Sequence, residues 1–145
     1  VAGITSKGLY ERIANANSVE EVKQLTEGFL ESRRQQLAQD LAVAKAQAIE
    51  ELDANDEEEA RINSANSAEE LAQVIEEIQS ERALQLAKSE AIAELEADGE
   101  TSEADRQRIN QADSIEEVER VKEDILYYRI PWQERARRWF LGLFN

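Results

Sequence analysis

The sequence predicts an all-α protein: tandem three-helix-bundle repeats joined by shared long helices, followed by a separate C-terminal amphipathic helix. Three observations carry that expectation. A segment built from Arg-Ile, a polar turn and Ser-x-x-Glu occurs three times, from Arg12 to Val22, Arg61 to Leu71 and Arg108 to Val118, at spacings of 49 and then 47 residues. A period of that length marks a structural repeat. Pro131 is the single proline, and Gly28 is the one glycine between Val19 and Asp98, so little interrupts long helices. Leu, Ile, Val and Ala recur at three- and four-residue intervals through a chain that is 34% charged, the pattern of helices with one buried stripe.

The chain opens with Gly3 followed by Thr5 and Ser6, the form of one helix's exit and the next helix's cap. A helix is therefore expected to precede it, and the first repeat, residues 1–33, is expected to be incomplete. The absence of an initiator methionine agrees with a fragment or a processed chain. A short helix over about 7–14 places Leu9 and Ile13 on one face. Ser18, Ser67 and Ser114 stand three residues before Glu21, Glu70 and Glu117. Serine oxygen and glutamate carboxylate can satisfy each other's orphan amides, so three capping boxes are expected to start three helices.

The first of these runs from Val19 to about Asp53, with Val22, Leu25, Phe29, Leu37, Leu41, Ala44, Ala48 and Leu52 as a drifting apolar stripe. At about 1.5 Å per residue it is on the order of 50 Å long, more than one three-helix unit needs. The last helix of one repeat is thus expected to be the first of the next. The second repeat, residues 34–82, continues with an acidic-started short helix through Glu57, Glu58, Glu59, Ile62 and Ala65. A second long helix from Ala68 to about Ala97 follows, through Leu71, Val74, Ile75, Ile78, Leu84, Ala91 and Leu95. Asp98-Gly99 is expected to supply a left-handed exit, and Thr101 or Ser102 to cap the next short helix. The third repeat, residues 83–130, closes with a helix from Ile115 to about Tyr128 whose inner face is Val118, Val121 and Ile125; Pro131 ends it.

Residues 131–145 belong to no repeat. Trp132, Ala136, Trp139, Phe140, Leu143 and Phe144 stand at i, i+4, i+7, i+8, i+11 and i+12, one helical face, with Arg135, Arg137 and Arg138 mostly off it. Residues 127–145 carry four Arg against one Glu, net +3, so residues 1–126 carry −18 of the total −15. Both tryptophans and two of the three phenylalanines fall in this segment. The tail can fold back on the bundle, dock in a groove on another protein, or lie on an anionic membrane surface.

Composition narrows the chemistry. A net charge of −15 argues against nucleic acid, whose affinity depends on clustered Lys and Arg. Cys, His and Met are absent, which removes disulfides, thiolate nucleophiles, imidazole bases and the usual zinc sites. The acidic clusters from Asp53 to Glu59 and from Glu94 to Glu103 lack the offsets and central glycine of a calcium loop. They read as solvated faces. Neighbouring carboxylates on a helix point about 100° apart, so paired acid/base catalysis has no support. No catalytic residue, cofactor or metal is assigned, and the protein is expected to be non-enzymatic.

With Gly3-Ile4-Thr5-Ser6, the Arg-Ile turn and Ser18-Val19-Glu20 in view, the repeats resemble the GA module, a three-helix albumin-binding unit of Gram-positive surface proteins. The first repeat matches from Ala2 to about Leu30, and residues 44–78 and 88–126 match over all three helices. The resemblance implies a left-handed three-helix bundle, in degenerate tandem copies, on an extracellular or cell-surface bacterial protein. It also implies contacts from an aromatic pair early in the second helix and from a glycine after the capping triplet. The pair falls here on Gly8 and Leu9, beside Tyr10, in the first repeat, then on Glu57 and Glu58, and on Ala104 and Asp105. The glycine position holds Glu21, Glu70 and Glu117. An apolar binding face has become acidic, leaving Leu9 and Tyr10 as its remnant.

Two functions follow. One is a helical scaffold or spacer that binds a protein partner through Trp132, Arg135, Trp139, Phe140, Leu143 and Phe144, with self-association through the incomplete first repeat. The other is a host-protein module, albumin-like in its target, carried near Leu9 and Tyr10.

Overall fold

The computed structural model describes residues 5–142. The expected helix exit at Gly3 and the tail positions Leu143 and Phe144 lie outside them. Among the described residues there are seven helices and no strand: α1 (Ser6–Ala14), α2 (Val19–Leu52), α3 (Asp56–Ser64), α4 (Ala68–Asp98), α5 (Glu103–Gln111), α6 (Ile115–Arg129) and α7 (Trp132–Gly142). The order of long and short helices is the tandem three-helix plan, with α2 and α4 each continuing from one repeat into the next. The chain divides into two compact units, Val1–Ile75 and Glu76–Asn145.

Helix starts follow local chemistry. Ser18, Ser67 and Ser114 Oγ accept from the amides of Glu21, Glu70 and Glu117, each at 3.1 Å. The glutamate half of the expected capping box differs. Each carboxylate reaches past the serine to the preceding residue and accepts from Asn17, Asn66 and Asp113 N–H at 2.9, 2.6 and 2.9 Å. The turn before each helix is thereby tied to its first turn. A reciprocal capping box forms at α3, where Asn55 Oδ1 accepts from Glu58 N–H at 3.0 Å and Glu58 accepts from Asn55 N–H at 2.9 Å. Its Asn-x-x-Glu signal was in the sequence. Thr5 caps α1 and Ser102 caps α5.

The helix ends correct one expectation. Gly99 is not left-handed; among the described residues only Asp53 has positive φ, at 47°. Asp53 ends α2 in that conformation with Ala54 N–H donating to Ile49 C=O at 3.1 Å. Aspartate is among the few non-glycine residues that tolerate it. At α4 a side chain does the work instead. Arg129 Nη1 donates to Leu95 C=O at 2.7 Å, and its Nη2 donates to Glu100 C=O at 3.1 Å and Thr101 Oγ1 at 3.0 Å.

In the unit Val1–Ile75, Ala48, Ile62, Ala65 and Leu71 are buried, while Leu37 of the expected stripe is 57% exposed. In the unit Glu76–Asn145, Ala91, Leu95, Ile109, Ala112, Val118 and Ile125 form a buried cluster, with Leu84, Ala87, Ile92, Val121 and Leu126 packed against it. Lys122 lies at the edge, 12% exposed, with Nζ 2.8 Å from a carboxylate oxygen of both Glu94 and Glu119. The hydrogen bond to Glu119, then that to Glu94, raises its pKa above the usual 10.5, against the desolvation that lowers it. A raised folded pKa gives stability that is complete below 10.5 and is lost as pH climbs through the folded value. In urea titrations the stability difference between wild type and Lys122→Met is expected to shrink as pH rises past that point. A constant difference would contradict the linkage.

Candidate protein-interaction site

α6 ends where Ile130, extended at φ −68° and ψ 129°, precedes Pro131. Pro131 C=O then accepts from Arg135 N–H at 3.1 Å, starting α7. Tyr127 and Tyr128, at the end of α6, stand edge to face with centroids 5.5 Å apart. Arg135 lies over both rings, its guanidinium carbon 5.4 Å from Tyr127 and 5.0 Å from Tyr128. Its Nε is covered and has no hydrogen-bond acceptor. The ring faces supply the compensating negative potential, a cation–π arrangement that fixes the start of α7 against α6.

Beyond that joint α7 turns no side chain into a core. Trp132 is 66%, Trp139 67% and Phe140 57% exposed. The helix therefore brings Trp132, Trp139 and Phe140 to one accessible face and assigns Arg135 to a different task, holding the helix in place. Arg137 and Arg138 are exposed, with Arg138 Nε 3.5 Å from Glu134 Oε1. Large aromatic rings beside exposed guanidinium groups are the chemistry that protein interfaces favour. No fold-back of the aromatic face is present among the described residues.

On α1, Tyr10 is 73% exposed and Leu9 half-buried. Of this remnant pair, Tyr10 is the more exposed.

Two grooves escaped sequence reasoning. One, of about 720 Å³, is lined by Leu37, Leu41, Ala44 and Ala68 and rimmed by Arg34 and Glu69. The other, about 450 Å³, is lined by Leu84, Ile115, Glu81 and Glu116 at the same repeat register. The repeat period could have paired these positions. That the stripe of α2 stays open there depends on packing that the sequence does not state.

Among the described residues no group of three His, Cys, Asp or Glu side chains is placed to hold a metal ion. No described helix is long and apolar enough to cross a membrane.

A family model described as the GA-like domain matches residues 1–30, 34–78 and 77–126. No curated protein and no solved structure matches the chain.

Proposed function

The chain belongs to the GA-like domain family, and on that footing we propose that it is a non-enzymatic helical repeat scaffold that presents α7 as a docking helix for a protein partner. In this reading residues 1–33, 34–82 and 83–130 are spacer repeats and residues 131–145 the anchor. The observation that carries it is the exposed aromatic face of α7, with Trp132 and Trp139 about two-thirds accessible at the end of a well-packed unit. Exposed aromatic surface of that kind is characteristic of an interaction site. Arg135 serves the site by orientation, and Leu143 and Phe144 extend the same face in sequence. The second reading places host-protein binding on α1, with Tyr10 as its exposed aromatic.

The test is a pull-down from serum and from native extract, with mass spectrometry of what is retained. The intact chain is compared with a chain ending at Ile130, which keeps Arg129, and with Trp132→Ala/Trp139→Ala. Retention by the intact chain alone is the expected outcome. Equal retention by all three would overturn the tail reading, and albumin among the retained proteins, lost with Tyr10→Ala, would move the function to α1.

A further inference from the structure

The two grooves stand at one register of the repeat and differ in charge. Glu81, Leu84, Asp113, Ile115 and Glu116 occupy, 47 residues on, the places of Arg34, Leu37, Asn66, Ala68 and Glu69. The groove of the second repeat is therefore rimmed by Arg34, Asp40 and Glu69. That of the third is rimmed by Glu81, Asp113 and Glu116, with no Lys or Arg among its described lining residues. Between those carboxylates the floor is apolar, with Leu84 half-buried and Ile115 44% exposed. Ile115, standing where the second repeat has Ala68, makes this groove the smaller of the two. All of its lining residues lie between Ser80 and Glu116, inside the third repeat.

An apolar floor inside a rim of carboxylates fits a cationic amphipathic helix. Large apolar side chains leave water in the groove, and guanidinium groups at the flanks of the helix meet the acids. α7 has that make-up: Trp132, Ala136, Trp139 and Phe140 share one face, and Arg137 and Arg138 lie beside it.

We propose that α7 of a second copy of the chain docks in this groove, between α4 and the turn from α5 to α6. The inference rests on α7 being a docking helix and names what it docks to. The charge of the chain is divided to suit the contact. Residues 1–34 carry five Lys or Arg against five Glu, so the net −18 falls on residues 35–126, which hold the groove, while residues 127–145 carry +3.

The chain's own α7 leaves the groove open. The groove lies at the beginning of α6, and α7 starts from the other end of that 15-residue helix, about 20 Å away. Arg135 over Tyr127 and Tyr128 holds it there, with Trp132 and Trp139 exposed. Because donor and acceptor surfaces differ, the contact is heterologous and builds an open series instead of a closed pair. Each copy carries −15 overall, so copies repel at long range. At physiological salt the screening length of about 8 Å removes most of that repulsion and spares the close pairs.

The first test titrates a synthetic peptide of residues 131–145 into isotope-labelled full chain carrying Trp132→Ala/Trp139→Ala, which keeps the groove and disables the donor. The amide resonances of Leu84, Ile115 and Glu116 are expected to move. Glu81→Gln/Glu116→Gln in the labelled chain is expected to weaken peptide binding about tenfold, and Trp139→Ala in the peptide about thirtyfold. Glu81, Glu116 and both tryptophans are exposed, so these variants leave the repeats folded, which circular dichroism checks. The second test is the mass of the full chain by analytical ultracentrifugation. Mass is expected to rise with concentration in the intact chain and to stay monomeric in Trp132→Ala/Trp139→Ala and in Glu81→Gln/Glu116→Gln. An equimolar mixture of those two variants is expected to form a dimer, because a whole donor then meets a whole groove.

An intact chain that is a monomer at every concentration overturns the proposal, including the case in which α7 turns back into the groove of its own chain. Peptide shifts at Leu37 and Leu41 in place of Leu84 and Ile115 overturn it in favour of the α2 groove, and a mixture that stays monomeric overturns the donor and acceptor assignment. A strictly monomeric chain that still captures a foreign partner through its tail sinks this inference alone. A chain ending at Ile130 that captures all that the intact chain does sinks the reading beneath it.

Discussion

Ile109→Ala is expected to destabilise the unit Glu76–Asn145 by about 3 kcal/mol, and Ile13→Ala to cost under about 1 kcal/mol, although the two isoleucines occupy the same place in the repeat. Ile109 has no accessible surface and lies among Ala91, Leu95, Val118 and Ile125. Truncating it removes three carbons' worth of transfer energy and leaves a void that helices on all sides cannot fill without moving. Ile13 is half-buried, so its removal exposes little that was dry and leaves a gap open to water. Hydrogen exchange read by mass spectrometry separates the units. Faster exchange throughout α5 and α6 in Ile109→Ala, with α1 alone loosened in Ile13→Ala, is the expected pattern. Equal costs would mean that Ile13 is as well covered in solution as Ile109.

The second large effect is expected at Arg129. Its guanidinium donates to Leu95 C=O, Glu100 C=O and Thr101 Oγ1 and lies 3.3 Å from Asp98 Oδ2. It thus gives Leu95 C=O a second donor beside Gly99 N–H, 3.1 Å away, and holds the loop that leads into α5. Hydrogen bonds from a charged donor contribute more than neutral ones, so Arg129→Ala is expected to cost about 2–3 kcal/mol. Arg129→Lys should recover under half of that, because one ammonium cannot span acceptors that a planar fork reaches together. Arg33 stands at the same register of the first repeat but is exposed, and Arg33→Ala is expected to change stability by under about 0.5 kcal/mol. Chemical denaturation of the three variants checks the order. A neutral Arg129→Ala would show that Gly99 and the α4 amide ladder end the helix unaided.

The parts of this fold that were legible in the sequence are those set by neighbours along the chain. Ser114 and Glu117 are three residues apart, so their meeting is a property of any helix start, and the three copies made the signal repeat. The face shared by Trp132, Trp139 and Phe140 follows from helical spacing in the same way. Contacts across the chain were not legible. Arg129 meets Leu95 across 34 residues, and Lys88 meets Asn110 across 22. Arg33, Arg82 and Arg129 share a register, yet an arginine among many surface charges carries no mark of the carbonyls it will find. The task of Arg135 was hidden for a related reason. Cation–π geometry with Tyr127 and Tyr128 depends on the bend at Ile130-Pro131, and only folding fixes that angle.

α4 begins at the cap of one repeat and ends at the clamp of the next, and this bears on how the chain emerges from the ribosome. A repeat that needs its third helix cannot close until that helix has been synthesised, and the same helix is already the first wall of the unit to come. The unfavourable nucleation step of helix formation is then met once for two units instead of twice. Folding can advance from the amino end as a moving front, each closed repeat handing a preformed wall to residues not yet made. Vectorial growth of that kind keeps little apolar surface waiting for its cover.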